Sequence, residues 1–498
     1  MQVFQSEIRP TQVNALISKV RKRNYEKYLM RVVLEKVRGF ENQVVNFDFP
    51  VTALIGPNGG GKTTILGAAG CAYKIIKPQM YFAKSGTIDD SMQDWRIEYE
   101  LIDRDINQKE PVRRSSSFRS YKWKRESVAT RDVVAFGISR TVPANERREM
   151  RQYASTKFEV GEKRVEQIEK SALDAIRRIL GKEVSGYTRI RVDERGRVSM
   201  LAGTTGRGAR YSEFHFGAGE SSIIRMVMAT EATKDGALIL IEEIENGLHP
   251  VATVRMVEYL IDVAERKKVQ AIFTTHSNDA LKPLPSDAIW ASLDGKVFQG
   301  KLDIHALRTI TGQIEAKLAI FTEDTFASDW VMAMLRSQKD IAVDHVEVHS
   351  MAGDGTAVKI NENHNKNPAI SFSSVCFIDG DSQQKTSDEG RVYRLPGECP
   401  EEYVYDQVMA VLENKAGILA VALHMDYEDQ QWVSDVVRSV RHTNMDPHLL
   451  FSQVGRQLRL LAAETVRRAF LSVWASSYPE EVKSLLAPLR DVLPAERK

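Results

Sequence analysis

The stretch Leu54–Leu66, LIGPNGGGKTTIL, decides how the first half of this 498-residue chain is read. It fits G-x-x-x-x-G-K-[ST], running from Gly56 to Gly61 and then Lys62 and Thr63. Gly56, Gly59, Gly60 and Gly61 let the backbone turn its N–H groups toward phosphate oxygens. Lys62 neutralises the β- and γ-phosphates, and the Thr63 hydroxyl ligates Mg²⁺. The helix that begins there adds its positive end. Asn58 and Thr64, inside and just after the turn, complete the expected ATP-binding set. The apolar strand VTALI before the loop makes a chance glycine turn a poor account.

Working outward, 43% hydrophobic and 27% charged residues with a net charge of +2 describe an ordinary soluble protein. Basic residues collect in the first 28 positions and between Arg113 and Arg125. Cys71, Cys376 and Cys399 are scattered without zinc-site spacing, so neither a disulfide framework nor a cysteine-based metal site is expected. That usage, with no signal-peptide pattern, predicts a cytoplasmic protein. No apolar run approaches the roughly 20 residues that span a bilayer.

A strand pair, LMRVVLEKVRGF and QVVNFDF, precedes the loop, and β-rich sequence continues to about Pro143. The pattern predicts a polar helix over Val160–Leu180 and a hairpin about Asp193-Glu194-Arg195-Gly196. Apolar strands follow at Ala237–Ile241 and Gln270–His276. The first ends in Glu242, which suits Mg²⁺, and Glu243, which suits polarising the attacking water. His276, at the tip of the second, is placed to contact the γ-phosphate. In FHFGAGESSIIRM, Gly217, Gly219 and Glu220 lead into a helix whose N–H groups suit the phosphates of another nucleotide.

These elements, in this order, resemble the ABC-type ATPase head over about residues 29–300. The resemblance implies two heads sandwiching two ATPs, hence a homodimer or higher homo-oligomer. Gly217 stands where that family has serine, and Glu242 where it has aspartate.

After Gly312 the pattern restarts. KLAIFTED, HVEVHSM, SVCFIDGD and RVYRLPG read as four short strands in βαβ order. Glu323 ends the first. Asp379 and Asp381 end the third, and residues two apart on a strand face one side. Three such carboxylates suit Mg²⁺ and water activation for phosphodiester cleavage. The region resembles a Toprim domain over about residues 315–405, with Asp324 in place of the family's glycine. LPGECPEEY resembles a stretch that supplies a further metal-binding acid, placed at Glu401. An ABC-type head followed by Toprim resembles the OLD (overcoming lysogenisation defect) family of ATP-dependent endonucleases. That implies ATP and Mg²⁺ as cofactors, Mn²⁺ at the Toprim site, DNA and accessory defence subunits as partners, and a part in anti-phage defence.

The expected fold is α/β: a P-loop mixed sheet with antiparallel β, a Rossmann-like Toprim domain and a helical tail. The expected domains are a basic extension at 1–28, the ATPase at 29–310, Toprim at 311–405 and helices at 406–498. Two other functions stay open: an ATPase sensor whose degenerate Toprim-like domain holds a separate effector, and an ATP-driven DNA-repair clamp. The basic stretch RRSSSFRSYKWKR has two readings as well. Phe118, Tyr121 and Trp123 interleave with cations as base stacking on DNA requires, or they face the core of a two-faced strand.

Overall fold

Alternating apolar residues set the first sheet. Val32 and Leu34 of strand Lys27–Val37 turn inward with Ile97 and Tyr99 of Trp95–Asp103, while Arg31, Arg96, Glu98 and Glu100 face outward as an ion-paired surface. The structure, a computed structural model, describes residues 6–83, 94–120, 122–155, 160–193, 198–204, 208–293, 295–300, 306, 309, 316–351, 353–368 and 370–495. They divide into two compact units, Met1–Ile304 and His305–Lys498.

In the first unit the antiparallel sheet runs in the order Phe40–Asn46, Lys27–Val37, Trp95–Asp103, Val112–Arg119, Lys122–Arg125. A second sheet holds Lys296–Gln299, Ile289–Leu293, Val51–Ile55, Gln270–Thr274, Leu238–Ile241 and Val133–Phe136. Its strands are parallel except for the Lys296–Gln299 edge. Its continuous apolar runs fit a sheet buried on both faces. Val51–Ile55 and Leu238–Ile241 are buried along their whole length. A third, antiparallel sheet joins Arg210–Ser212, Ser199–Thr204, Thr188–Arg191 and Val165–Gln167.

The expected helix over Val160–Leu180 is half as long, and occupies Lys170–Leu180. Val165–Gln167 pairs instead with Thr188–Ile190, because a strand partner satisfies its backbone where its polar, β-branched sequence gives a helix no apolar face. The hairpin strands Thr188–Arg191 and Ser199–Thr204 do pair, although residues 194–197 of the turn lie outside the described residues.

The aromatic residues of the basic stretch face inward. Phe118 is 1% exposed, and Phe118 and Trp123 pack with Trp95 at centroid separations of 6.2 and 6.4 Å. The two-faced strand is therefore the correct reading, and stacking of Phe118 and Trp123 on bases is not. Burying each ring stabilises the core by about 1.5–3 kcal/mol, which outweighs leaving it in water for a ligand. Tyr121 lies outside the described residues. The N-terminal segment joins this unit: Leu16 and Val20 of helix Pro10–Arg21 are buried, and Ser6 Oγ donates to Glu258 Oε1 at 2.9 Å.

The second unit has a parallel sheet in the order Val346–Ser350, Leu318–Thr322, Ser373–Ile378, Val392–Arg394. Those are the four strands read from the sequence. The helices beyond residue 405 have no separate core. Trp330, behind the first strand, meets Trp474 at 5.2 Å, and Phe326 stacks on Phe451 at 5.6 Å. One apolar cluster runs from Leu318 to Leu489. Among the described residues no helix is long and apolar enough to cross a membrane.

Candidate functional site

The Val51–Ile55 strand, interior in its sheet, delivers the glycine loop at its carboxyl end, where φ is positive at Gly56, Gly59 and Gly61. Gly60 is required for a different reason: a side chain there would meet Ser292 O at 2.8 Å. The Lys62–Cys71 helix starts immediately, so its unbonded N–H groups face the loop. Lys62 Nζ donates to the carbonyls of Gly56 and Pro57, each at 2.9 Å, and curls over the turn. Burial lowers the pKa of its ammonium, and the Glu243 and Glu245 carboxylates oppose that fall.

These residues line a cleft of about 340 Å³. It brings together Asn58, Gly59, Gly60, Gly61, Lys62, Thr63, Thr64, Glu242, Glu243 and His276 of the expected set. Among the described residues that line it, Gly217, Gly219 and Glu220 are not found. Glu220 accepts from Tyr187 Oη at 2.5 Å and from Lys182 Nζ at 2.6 Å, within its own unit. Gly219, the second residue of the Ala218–Glu231 helix, lies so close to Gly247 that a Cβ would sit 1.9 Å from Gly247 O.

Arg38 and Thr274, which line the cleft, and Arg140 and Glu245 beside it escaped the sequence. Arg140 donates to Glu242 O at 2.6 Å and Glu243 O at 2.5 Å, stapling the acidic turn. Glu243 has φ +45, an uncommon backbone for a side-chain-bearing residue. Its N–H donates to Thr274 Oγ1 at 2.8 Å. Glu245 accepts from Thr275 Oγ1 at 2.7 Å and from His276 N at 2.6 Å, tying the two strand tips together. Arg38 donates to Thr64 Oγ1 at 2.8 Å. Burial raises the Glu242 pKa, and Glu243 adds to the rise. Cation binding relieves that cost, so the carboxylate pair fits a Mg²⁺ site.

In the second unit the acids gather at the carboxyl ends of the strands. Asp379 N donates to Glu323 Oε2 at 3.5 Å. Asp354, which the sequence reading missed, accepts from Ser382 Oγ at 2.6 Å and bears electrostatically on Glu323. It lies in MAGDGTA just after the Val346–Ser350 strand, and only the fold shows that this loop meets the others. Asp379 is pushed up to about 8 by burial, with Asp324, Glu323, Glu401 and Asp381 adding to the shift. Its Oδ1 is buried and has no hydrogen-bond partner among the described residues.

An arginine again holds the acidic turn. Arg394 donates to the carbonyls of Asp379, Gly380 and Ser382 at 2.8–2.9 Å. Gly380 admits no side chain, since a Cβ would sit 1.5 Å from Gly397 O. Asp324 replaces the expected glycine without strain. Its φ is −138, and Oδ1 accepts from Ala327 N at 2.8 Å, capping the Thr325–Ser337 helix. Asp381 is exposed. Glu401 sits in the first turn of the Pro400–Ala422 helix, and its oxygens face Cys399 and His448.

Comparison with known proteins bears on the first unit. A family profile described as "AAA domain, putative AbiEii toxin, Type IV TA system" matches residues 89–281. Another, described as "AAA domain", matches residues 31–127. The first unit carries an AAA-type ATPase domain. No curated protein matches the chain. Among solved structures it is similar to the SMC head domain from Thermotoga maritima, with 14% identity, TM-score 0.35, and 55% of this chain and 99% of that chain covered. It is also similar to the Smc head domain with an extended coiled coil bound to the C-terminal domain of ScpA, derived from Pyrococcus furiosus. There the identity is 11% and the TM-score 0.38, covering 57% of this chain and 98% of that one.

Proposed function

We propose that the chain is an ATP-gated, Mg²⁺-dependent DNA endonuclease, with phosphodiester cleavage at the acids of the second unit and a part in anti-phage defence. One observation carries the reading: the buried Asp379 Oδ1, without a hydrogen-bond partner among the described residues, faces the charges of Asp324, Glu323, Glu401 and Asp381, with Asp354 beside Glu323. An uncompensated carboxylate group of this kind is costly unless a cation shares it. The donor set is all oxygen, which suits Mg²⁺ or Mn²⁺. A bound cation there supplies charge stabilisation and a more acidic water.

The chain's own residues hold the geometry. Arg394 fixes the backbone of Asp379 and Gly380, and Ser382 orients Asp354. In the first unit, Lys62, Thr63 and Glu242 take the nucleotide and its Mg²⁺, while Glu243 orients the attacking water. ATP acts as a switch, because phosphodiester hydrolysis is already downhill and needs no driving.

The test is incubation of the full chain with plasmid and linear DNA, Mg²⁺ or Mn²⁺, with and without ATP. Wild type should nick or cut. Asp379→Ala should lose cutting and keep nucleotide binding. Equal cutting by Asp379→Ala would place the chemistry elsewhere.

The inward turn of Phe118 and Trp123 favours a second reading, since it removes the stacking surface expected for DNA. On that reading the chain is an ATPase sensor that holds a separate effector. Absence of cutting under every condition, together with a stoichiometric co-purifying protein, would select it.

A further inference from the structure

The thiol of Cys399, the carboxylate of Glu401 and the imidazole of His448 converge at the start of the Pro400–Ala422 helix. Cys399 immediately precedes that helix and Glu401 lies in its first turn. His448 arrives from the short turn Pro447–Leu449, where Asp446 Oδ1 accepts from its backbone N–H at 3.1 Å. One donor atom from each residue lies within 4.8 Å of the other two. His448 Nδ1 is 3.0 Å from Glu401 Oε1, and Cys399 Sγ is 3.6 Å from Glu401 Oε2.

We propose that these three side chains form a binding site for a borderline divalent transition metal, Zn²⁺ by preference, beside the acids at Glu323, Asp379 and Asp381 and distinct from them in its donor set. A sulfur, an imidazole nitrogen and one carboxylate form a set that Zn²⁺ takes and Mg²⁺ declines. Zinc bonds of about 2.0–2.3 Å put tetrahedral ligand atoms roughly 3.3–3.8 Å apart, so a set whose atoms lie within 4.8 Å of one another closes on the ion by small side-chain rotations. Three protein ligands leave a fourth position for water or another ligand. His448 is 72% exposed, so an ion can reach the site without unfolding.

Without a metal, an ion pair between His448 and Glu401 and an S–H bond donated by Cys399 to the other Glu401 oxygen account for the contacts. What a metal adds is one use for all three donors, which meet here from two separate segments of the chain. The helix N-terminus acts in both directions: its partial charge opposes a cation, yet its N–H groups favour the thiolate that a metal requires. Burial and the Glu401 carboxylate outweigh those N–H groups and raise the Cys399 pKa, so the metal must displace the thiol proton. On binding, the thiol S–H bond breaks, its proton leaves to solvent, and a sulfur–metal bond forms with no change of oxidation state. The sequence hides the set because His448 lies 47 residues beyond Glu401.

The test strips the full chain with chelator. It is then titrated with Zn²⁺ against a chromophoric competitor, and with Co²⁺ by absorption spectroscopy. Wild type should bind one equivalent of Zn²⁺ at this site and show a thiolate-to-cobalt charge-transfer band. Cys399→Ser should abolish the band, and both Cys399→Ser and His448→Ala should weaken Zn²⁺ binding by at least about tenfold. Asp379→Ala should keep band and affinity. A wild-type chain without the band, a band that survives Cys399→Ser, or Zn²⁺ binding lost only in Asp379→Ala would each overturn the proposal. Circular dichroism checks that the variants fold, and the wild-type spectrum needs no variant.

Discussion

Asp379 carries a folded-state pKa of about 8 against an ordinary value of 3.8. The unfolded chain therefore ionises this carboxyl first as pH rises. Its contribution to stability is fully present below about pH 4, is lost between about 4 and 8, and stays lost above. The metal-free chain should melt at progressively lower temperature across that window. Mg²⁺ should restore the loss near pH 8, and Asp379→Asn should flatten the profile, as scanning calorimetry would register. A pH-independent wild type with no Mg²⁺ response would refute the cluster as a cation site. Lys62 supports a simpler expectation. Lys62→Ala removes the one ammonium over the glycine turn and leaves the turn itself, so ATP binding or hydrolysis should fall below detection. Wild-type turnover in that variant would remove the loop from the mechanism.

The elements show a repeated device: an acidic turn at a strand tip, with an arginine bonded to its carbonyls. Arg140 serves Glu242 and Glu243, and Arg394 serves Asp379 and Gly380. Arg140→Ala should leave ATP affinity nearly intact, since the glycine loop is separate. It should slow turnover by about a hundredfold, the cost of a catalytic group displaced by about an ångström. A steady-state KM-against-kcat comparison measures the split. Loss of affinity with unchanged kcat would contradict a positioning role. Gly219→Ala is harsher, because both atoms at the 1.9 Å approach are backbone-fixed and the Ala218–Glu231 helix must move. A stability loss of about 1–3 kcal/mol in urea is expected.

This scale also shows what the sequence made legible. The glycine loop, the Glu242–Glu243 tip and the four strands of the second unit were readable because each is contiguous and apolar runs announce it. Arg140, Glu245, Asp354 and Arg394 were not, because each meets its partners only after parallel strands bring distant loops to one edge. The strand around Phe118 was ambiguous because period-two alternation is the same whether its rings face a ligand or a core. The packing of the last helices was not legible, because Trp474 and Phe470 look like the core of any helical bundle. Only the fold shows them packed on Trp330 and Tyr405.

At the scale of the molecule, the open matter is where Gly217, Gly219 and Glu220 act. They do not line their own cleft among its described residues, so a role in binding phosphates requires another copy of the chain. Glu243→Gln should retain ATP and hydrolyse it slowly, because an amide orients water without accepting its proton. If the heads close over nucleotide, this variant should gain mass with ATP in mass photometry, or become more compact in scattering if already associated. Glu220 is also bonded to Lys182 and Tyr187, so its removal alone would not separate a pairing role from a local one. Lys182→Ala, placed in the Glu243→Gln background, breaks the same ion pair and keeps the carboxylate. Association lost with Glu220→Ala but kept with Lys182→Ala would assign the carboxylate to the neighbouring copy. Equal loss in both would assign it to holding its own loop, and no ATP effect in any background would exclude the sandwich.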